Sequence, residues 1–484
     1  MKKAIASILI AILLVSALAG CGGNTLSAEM DGALIQLSDE QITVNGSAAS
    51  KDPNQTVYTA NDIIYYESGR DFTYGEGKEA DAHSKEEADA HTVVHITKPG
   101  RYILSGQLSK GQVAVDLGEN AEDDPNAVVT LVLNGVDITC DVAPAIIFYN
   151  VYECGDKDVS SPNIDTSRAG ANVEIADGTV NNVKGAYVAR IYKPESVELN
   201  KDGTEVKDAK KLHKYDAAFY SKMSMNVYGD TGVLNITAAN EGMDTELHLT
   251  VSGGHINIRS GNDGINTNED GVSVTAINGG TVNIRVDGAT GEGDGIDSNG
   301  YLVINGGTVI SQACSFSMDA GIDSDMGIQL NGGTVIATGN MLDHISQSGQ
   351  NYAVFQFADK KQTEEVVLKN ADGQTVVQEK LENEFSVLVI SEPEMKEGEY
   401  TLWLDGVQQK IAGQGMGGMK PPQGMEPPAD GFGQMPQGEK PPQKPEGMEG
   451  MQPPEGQGFG DPHMGSVKNT FSITEGGSYF QVIA

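Results

Sequence analysis

The sequence predicts an all-β chain built on a parallel β-helix, a solenoid, with an antiparallel β cap at its C-terminal end. Three observations predict it. From about His91, short runs of Val, Ile and Leu alternate with Gly, Asn and Asp, as in Val129-Thr130-Leu131-Val132-Leu133 and Leu234-Asn235-Ile236. Runs of this length bounded by turn formers read as strands. A Gly-Gly pair followed by an alternating strand begins at Gly253, Gly279, Gly306 and Gly332, at spacings of 26, 27 and 26 residues. No sustained helical periodicity accompanies that period, and a fixed repeat without a helix points to stacked β-coils. An antiparallel sandwich explains short strands and turns but not four near-identical corners in constant register.

The elements follow in chain order. Lys2 and Lys3 precede a nearly unbroken apolar stretch from Ala4 to Ala19, 16 residues long. That is short of the ~20 residues of a membrane span, so 1–20 reads as a cleaved signal. Leu18-Ala19-Gly20-Cys21 resembles a bacterial lipoprotein box, making Cys21 the expected lipid attachment point; the alternative is a plain secretory signal with an incidental cysteine. Residues 21–90 are polar, and Gly75 to Ala90 is highly charged, which predicts a mobile tether. The coils are expected over 91–350. Runs such as Phe385-Ser386-Val387-Leu388-Val389-Ile390 place an antiparallel cap over 351–412, where it would cover the open strand edge. Residues 413–465, rich in Gly, Pro, Gln and Met, predict a disordered loop, and 466–484 a final cap strand.

In each coil the Gly-Gly pair suits a tight corner, because left-handed backbone costs glycine little. A second motif runs in phase with it: Glu241-Gly242-Met243-Asp244-Thr245, Asp263-Gly264-Ile265-Asn266-Thr267, Asp294-Gly295-Ile296-Asp297-Ser298 and Ala320-Gly321-Ile322-Asp323-Ser324. Stacked coils would bring these carboxylates to ~4.8 Å spacing. Two such charges repel by about 1 kcal/mol in water and about 3.5 at an effective dielectric of 20. A Ca²⁺ between coils would remove the conflict, since its oxygen ligands lie at about 2.3–2.6 Å. The expected calcium ligands are Asp244, Asp263, Asn266, Asp294, Asp297 and Asp323. The competing account is that Asp and Asn are simply good turn residues.

Composition narrows the partners. Sixty-eight acidic and 32 basic residues give a net charge of −36, which repels nucleic acid and anionic lipid. The membrane is then reached only through the lipid anchor, and a monomer is the expected state. Cys140, Cys154 and Cys314 remain beside Cys21, an odd number that forms no disulfide framework. A Cys140–Cys154 bridge and buried thiols both fit.

Several motifs resemble the bacterial carbohydrate-binding β-helix family typified by a clostridial cellulose- and pectin-binding protein. They include Leu131-Val132-Leu133-Asn134-Gly135-Val136-Asp137-Ile138, Ala145-Ile146-Ile147-Phe148-Tyr149-Asn150, Tyr220-Ser221-Lys222, the Gly-Gly corners, the acidic turns and Thr470-Phe471-Ser472-Ile473-Thr474-Glu475-Gly476. The resemblance spans about 90–412 and 466–484. It implies a right-handed, pectate-lyase-like coil, bound calcium, and affinity for cellulose and acidic sugars at the outside of the cell. Ala320 lacks the first carboxylate of its turn, and the Lys-rich stretch Lys184 to Lys214 interrupts the early coils, so the chain departs from the pattern at both.

A lyase on this fold needs a basic residue beside a metal-bound carboxylate. Between Met223 and Leu342 there are 14 Asp and Glu but only Arg259 and Arg285 as cations. Both follow the Ile of a Gly-Gly strand, so they take equivalent outward positions, either gripping an acidic ligand or neutralising nearby acids. The reading is therefore calcium-dependent polysaccharide binding without catalysis. Its rivals are a calcium-dependent lyase and a structural adhesin with no defined sugar. Only 6% of residues are aromatic, so no stacking platform for sugar rings is evident.

Overall fold

The computed structural model describes residues 31–362, 365–414 and 467–483, and within them the chain is all-β. The signal segment, Cys21 and nearly all of 413–465 lie outside the described residues. Two short 3-10 turns and one α-helix, Lys85–Asp89, are the described helical elements, and no described helix is long and apolar enough to cross a membrane.

Three parallel ladders run through the fold. The first passes from Ala33–Leu37 through Gly100–Leu108, Val129–Cys140, Ala171–Ile175, Met225–Gly229, His248–Val251, Val274–Ile277, Tyr301–Ile304 and Gly327–Leu330. The second links Val180–Gly185, Val233–Ala238, His255–Ser260, Thr281–Val286, Thr308–Gln312 and Thr334–Gly339. The third joins Ile146–Asn150, Ala217–Ser221, Glu241–Thr245, Ile265–Thr267 and Ile296–Ser298. Period-2 alternation sends every second side chain inward, so equivalent residues form columns. Leu131, Val173, Val227, Val251, Ile277, Ile304 and Leu330 make one such column, all buried. Each buried aliphatic side chain contributes roughly 1.5–3 kcal/mol.

The Gly-Gly corners stack as their spacing demands. The second glycine of each pair, Gly254, Gly280, Gly307 and Gly333, has φ of 85°, 80°, 79° and 81°. A Cβ on Gly280 would also sit 2.6 Å from the carbonyl oxygen of Gly254 in the preceding coil. Gly280, Gly307 and Gly333 therefore answer two constraints at once, conformation and approach.

At the C-terminal end Phe385–Ser391 pairs antiparallel with Thr334–Gly339 and closes the second ladder. Tyr352–Lys361, Gly477–Ile483 and Lys410–Gln414 extend that closure, and a separate aromatic core forms around Phe355, Phe385, Phe471 and Phe480. The exposed edge is thereby paired rather than left open.

One expectation is corrected. The mobile tether predicted over 21–90 is structured from Gly32 onward. Ala33–Leu37 is the first rung of a parallel ladder, and Ile35, Leu37, Val57, Ile63 and Tyr66 are buried in the main core. Polar composition misled because these segments bury only alternate residues and hydrogen-bond to coils far along the chain. Cys140, Cys154 and Cys314 are free thiols, and burial pushes Cys140 and Cys154 up to about 12.

A test of the corner follows. Gly280→Ala should lose about 2 kcal/mol or more in urea unfolding, from left-handed strain and the clash together. Gly178→Ala is the control: φ is 69° there, but no atom lies within 4 Å of the added methyl. It should lose only about 1–2 kcal/mol. Equal losses would remove the inter-coil contact from the account.

Candidate functional site

The acidic turns form two adjoining columns on the third ladder. The amides of Gly242, Gly264 and Gly295 donate to the carbonyls of Asp263, Asp294 and Ala320 at 2.9, 3.0 and 3.0 Å. Glu241, Asp263, Asp294 and Ala320 are thus brought over one another. Strand register pairs Asp244 with Asn266 and Asn266 with Asp297, and the Ile296–Ile322 bridge sets Asp323 next. All six residues expected as calcium ligands therefore lie in these columns.

Burial dominates their electrostatics. Glu241 and Asp244 are 6% and 0% exposed, and burial drives both carboxyls well above the usual range. Asp244 repels Glu241 further, and Glu246 repels Asp244. Burial and then Glu241 do the same to Asp263. Asp294 is pushed up to about 9 and Asp323 to about 7, again first by burial, whereas Asp297 rises to about 6. Without a counterion, then, burial favours the protonated form of the Glu241, Asp244, Asp263 and Asp294 carboxyls.

The fold offers partial remedies. The Asp294 amide donates to Asp263 Oδ1 at 2.7 Å, and the Ala320 amide to Asp294 Oδ1 at 2.6 Å. Asn268 donates to Asp244 Oδ1 and accepts from Lys214 Nζ. Arg190 lies 3.3 Å from Asp216 and 3.7 Å from Glu76. Lys214 and Arg190 come from the insertion, and both draw the Asp244 carboxyl back down. Counting cations within the coils missed them, because only the tertiary fold lays that insertion over the columns.

The remedies are incomplete. Glu241 Oε2, Asp244 Oδ2 and Asn266 Oδ1 are buried with no hydrogen-bond partner. Two carboxylates and an amide oxygen are the donor types a hard cation takes, so the residues fit calcium in chemistry. Among the described residues, no three or more His, Cys, Asp or Glu side chains are grouped closely enough to form a shell by themselves.

A second feature lies on the second ladder. Asn182, Asn235, Asn257 and Asn283 occupy one column. Each amide donates to the preceding carbonyl oxygen at 3.0, 2.9 and 3.0 Å in succession. Arg259 and Arg285 are register partners two residues on, in adjacent coils. Asn235, Asn257, Asn283 and both arginines line a cleft of about 610 Å³ whose other wall carries Glu379, Lys380 and Glu382 of the cap. The two arginines are not equivalent. Arg285 donates to Asn383 Oδ1 at 3.0 Å and pairs with Glu382, while Arg259 is exposed and has no salt bridge among the described residues. Burial and the neighbouring Arg259 lower the Arg285 pKa. Sequence reasoning passed over the asparagines, although the same polar residue recurs at the same outward position of four successive strands before Ile310 takes the place.

Residues 90–372, more than half of the chain, match the model of the carbohydrate-binding domain-containing proteins, and the chain belongs to that family. A carbohydrate-binding domain-containing protein of Acetivibrio thermocellus is 29% identical over 168 residues, covering 34% of this chain and 45% of the relative. The chain thus spans less than half the length of that curated relative. A polysaccharide lyase-like protein from C. thermocellum, solved as a gadolinium derivative, aligns with 65% of this chain and 98% of its own, at 20% identity and a TM-score of 0.35.

The columns yield a pH test. Asp294 titrates at about 9 when folded against an ordinary 3.8, so the folded chain retains a proton that the unfolded chain has released. In EDTA this term lowers stability as pH rises from about 4 to 9, by at most about 1.4 kcal/mol per pH unit. Asp294→Asn should flatten that slope in urea titrations. An unchanged or steeper slope would contradict the burial argument.

Proposed function

We propose that the chain is a cell-surface lipoprotein, anchored through Cys21, that binds polysaccharide in a calcium-dependent way. The ligands are cellulose or acidic polymers such as pectin. In this reading the three parallel ladders are the walls of a right-handed β-helix, and the chain acts as a monomer.

One observation carries the reading. Within the family-matching region, an outward asparagine column and the Arg259–Arg285 step repeat along a cleft at the coil spacing of ~4.8 Å. Amide groups donate to and accept from sugar hydroxyls, and a guanidinium can bind a uronate carboxylate through two parallel bonds. A groove that repeats its polar groups suits a ligand that repeats its own. In a chain of −36, Arg259 is an exposed cation on that wall.

Calcium would be held by Glu241, Asp244 and Asn266, with Asp263, Asp294, Asp297 and Asp323 continuing the carboxylate run. When bound it supplies positive charge that replaces the protons and draws an anionic polymer toward an acidic surface. The support is the set of orphaned buried oxygens and the cost of stacked carboxylates.

The lyase alternative gains one observation, since Lys214 and Arg190 do stand beside the acidic columns. Burial weighs against it. Asp244 is 0% exposed, so a uronate ring has no route to that carboxylate. Binding remains the better account.

Co-sedimentation tests it. The chain should pellet with polygalacturonate or cellulose in calcium, and EDTA should weaken the polygalacturonate interaction more. Arg259→Ala should weaken polygalacturonate binding by about tenfold, the loss of one charge-assisted contact. Release of unsaturated uronate, followed by absorbance, would replace binding with lyase chemistry. For the anchor, Cys21→Ser should move the protein from the membrane fraction to the medium; continued detergent partitioning would refute lipidation.

A further inference from the structure

Away from both the acidic columns and the arginine cleft lies a groove of about 320 Å³ between residues 63–74 and the insertion. Tyr65, Tyr74, Tyr192 and His213 line it, with Leu212 at its edge. The four ring residues are partly exposed, and Leu212 is 49% exposed. Buried Ile63 and Ile191 form part of the lining as well. We propose that this groove is a carbohydrate subsite that takes one pyranose ring of a neutral hexose. The proposal rests on the polysaccharide-binding reading above and assigns its neutral ligand a site of its own.

The groove is built in advance. Its two walls are joined by backbone bonds, from the Tyr192 amide to the Tyr74 carbonyl at 2.9 Å and from the Glu76 amide to the Arg190 carbonyl at 2.8 Å. Tyr66, buried behind it, meets the Tyr74 ring edge-on at 5.0 Å. Ordering costs that would oppose binding are therefore already met by the fold. The size falls at the low end of small-molecule sites, about 300–1,000 Å³, which suits one ring rather than a polymer segment.

The lining chemistry selects the ligand. A pyranose presents a face of C–H groups ringed by hydroxyls, and tyrosine presents a π-face with a hydroxyl at its rim, so each matches the other. Charge separates neutral from acidic sugars. Glu67 is the carboxylate in the lining, and its oxygen accepts from Arg70 Nε at 2.7 Å. Arg70 also lies 4.9 Å over the Tyr74 ring. That cation is committed, and burial lowers the His213 pKa, which disfavours the charged ring. A uronate carboxylate placed here would be desolvated without a free partner, whereas a neutral hexose loses nothing on that account. The arginine cleft has the opposite preference.

Calorimetry with cellohexaose and with hexagalacturonate, each titrated into the whole chain in calcium, tests the assignment. Leu212→Arg places a charge at the groove from an exposed position and leaves the core untouched; Tyr192→Ala removes a ring. Both should weaken cellohexaose binding by at least about tenfold and leave hexagalacturonate unchanged. Unaltered cellohexaose affinity in Leu212→Arg would overturn the subsite. A parent chain that binds hexagalacturonate but not cellohexaose would overturn it too, with the polysaccharide reading intact. If the parent binds neither sugar, both readings fall.

Discussion

The backbone hydrogen bonds between successive strands of the parallel ladders are the constraint on which the rest depends. A parallel ladder holds equivalent residues at one spacing, about 4.8 Å, and permits no slip without turning every side chain to the other face. Any residue type chosen once is therefore chosen as a column. Aliphatics become a continuous core, as with Val227, Val251, Ile277 and Ile304. Asparagines become a hydrogen-bonded strip, and glycines become a stack of corners in which Gly280, Gly307 and Gly333 each leave room for the carbonyl of the corner before.

The same rule turns a harmless turn residue into an electrostatic problem. A lone Asp in a turn is well solvated, but Asp263 and Asp294 over one another, largely buried, are not. The protein meets this with several devices: amides of the next coil on Asp263 and Asp294, an alanine where a fourth carboxylate would stand, and Lys214 and Arg190 folded over one end. Glu241 Oε2 and Asp244 Oδ2 remain without partners. In the proposed reading a divalent cation would supply what is left, in competition with protons for the same oxygens. The insertion thus combines two roles, covering the acidic columns on one side and walling the tyrosine groove on the other.

Much of this was legible in the sequence because the period wrote it repeatedly. The Gly-Gly spacing marked the stacked corners of the parallel ladder from Gly253 onward, and the phase of the acidic turns put their side chains into adjoining columns. What escaped was written once. Ala33–Leu37 is a single short strand whose partner lies some seventy residues away, so local composition gave it no weight. The pairing of Arg285 with Glu382 joins a coil to the cap across nearly a hundred residues, which is why the two arginines looked alike. The tyrosine groove unites residues 63–74 with an insertion that follows no repeat, and low aromatic content hid it because only local clustering matters. The asparagine column differs, since its signal was present at Asn235, Asn257 and Asn283.

The central claim is that columns created by strand register are the ligand surface. A crystal structure with calcium and an oligogalacturonate tests it most directly. The account predicts sugar density along Asn235, Asn257, Asn283 and Arg259, with an ordered cation among Glu241, Asp244 and Asn266. Ordered sugar on another face, with the cleft empty and those oxygens bound to water alone, would contradict it.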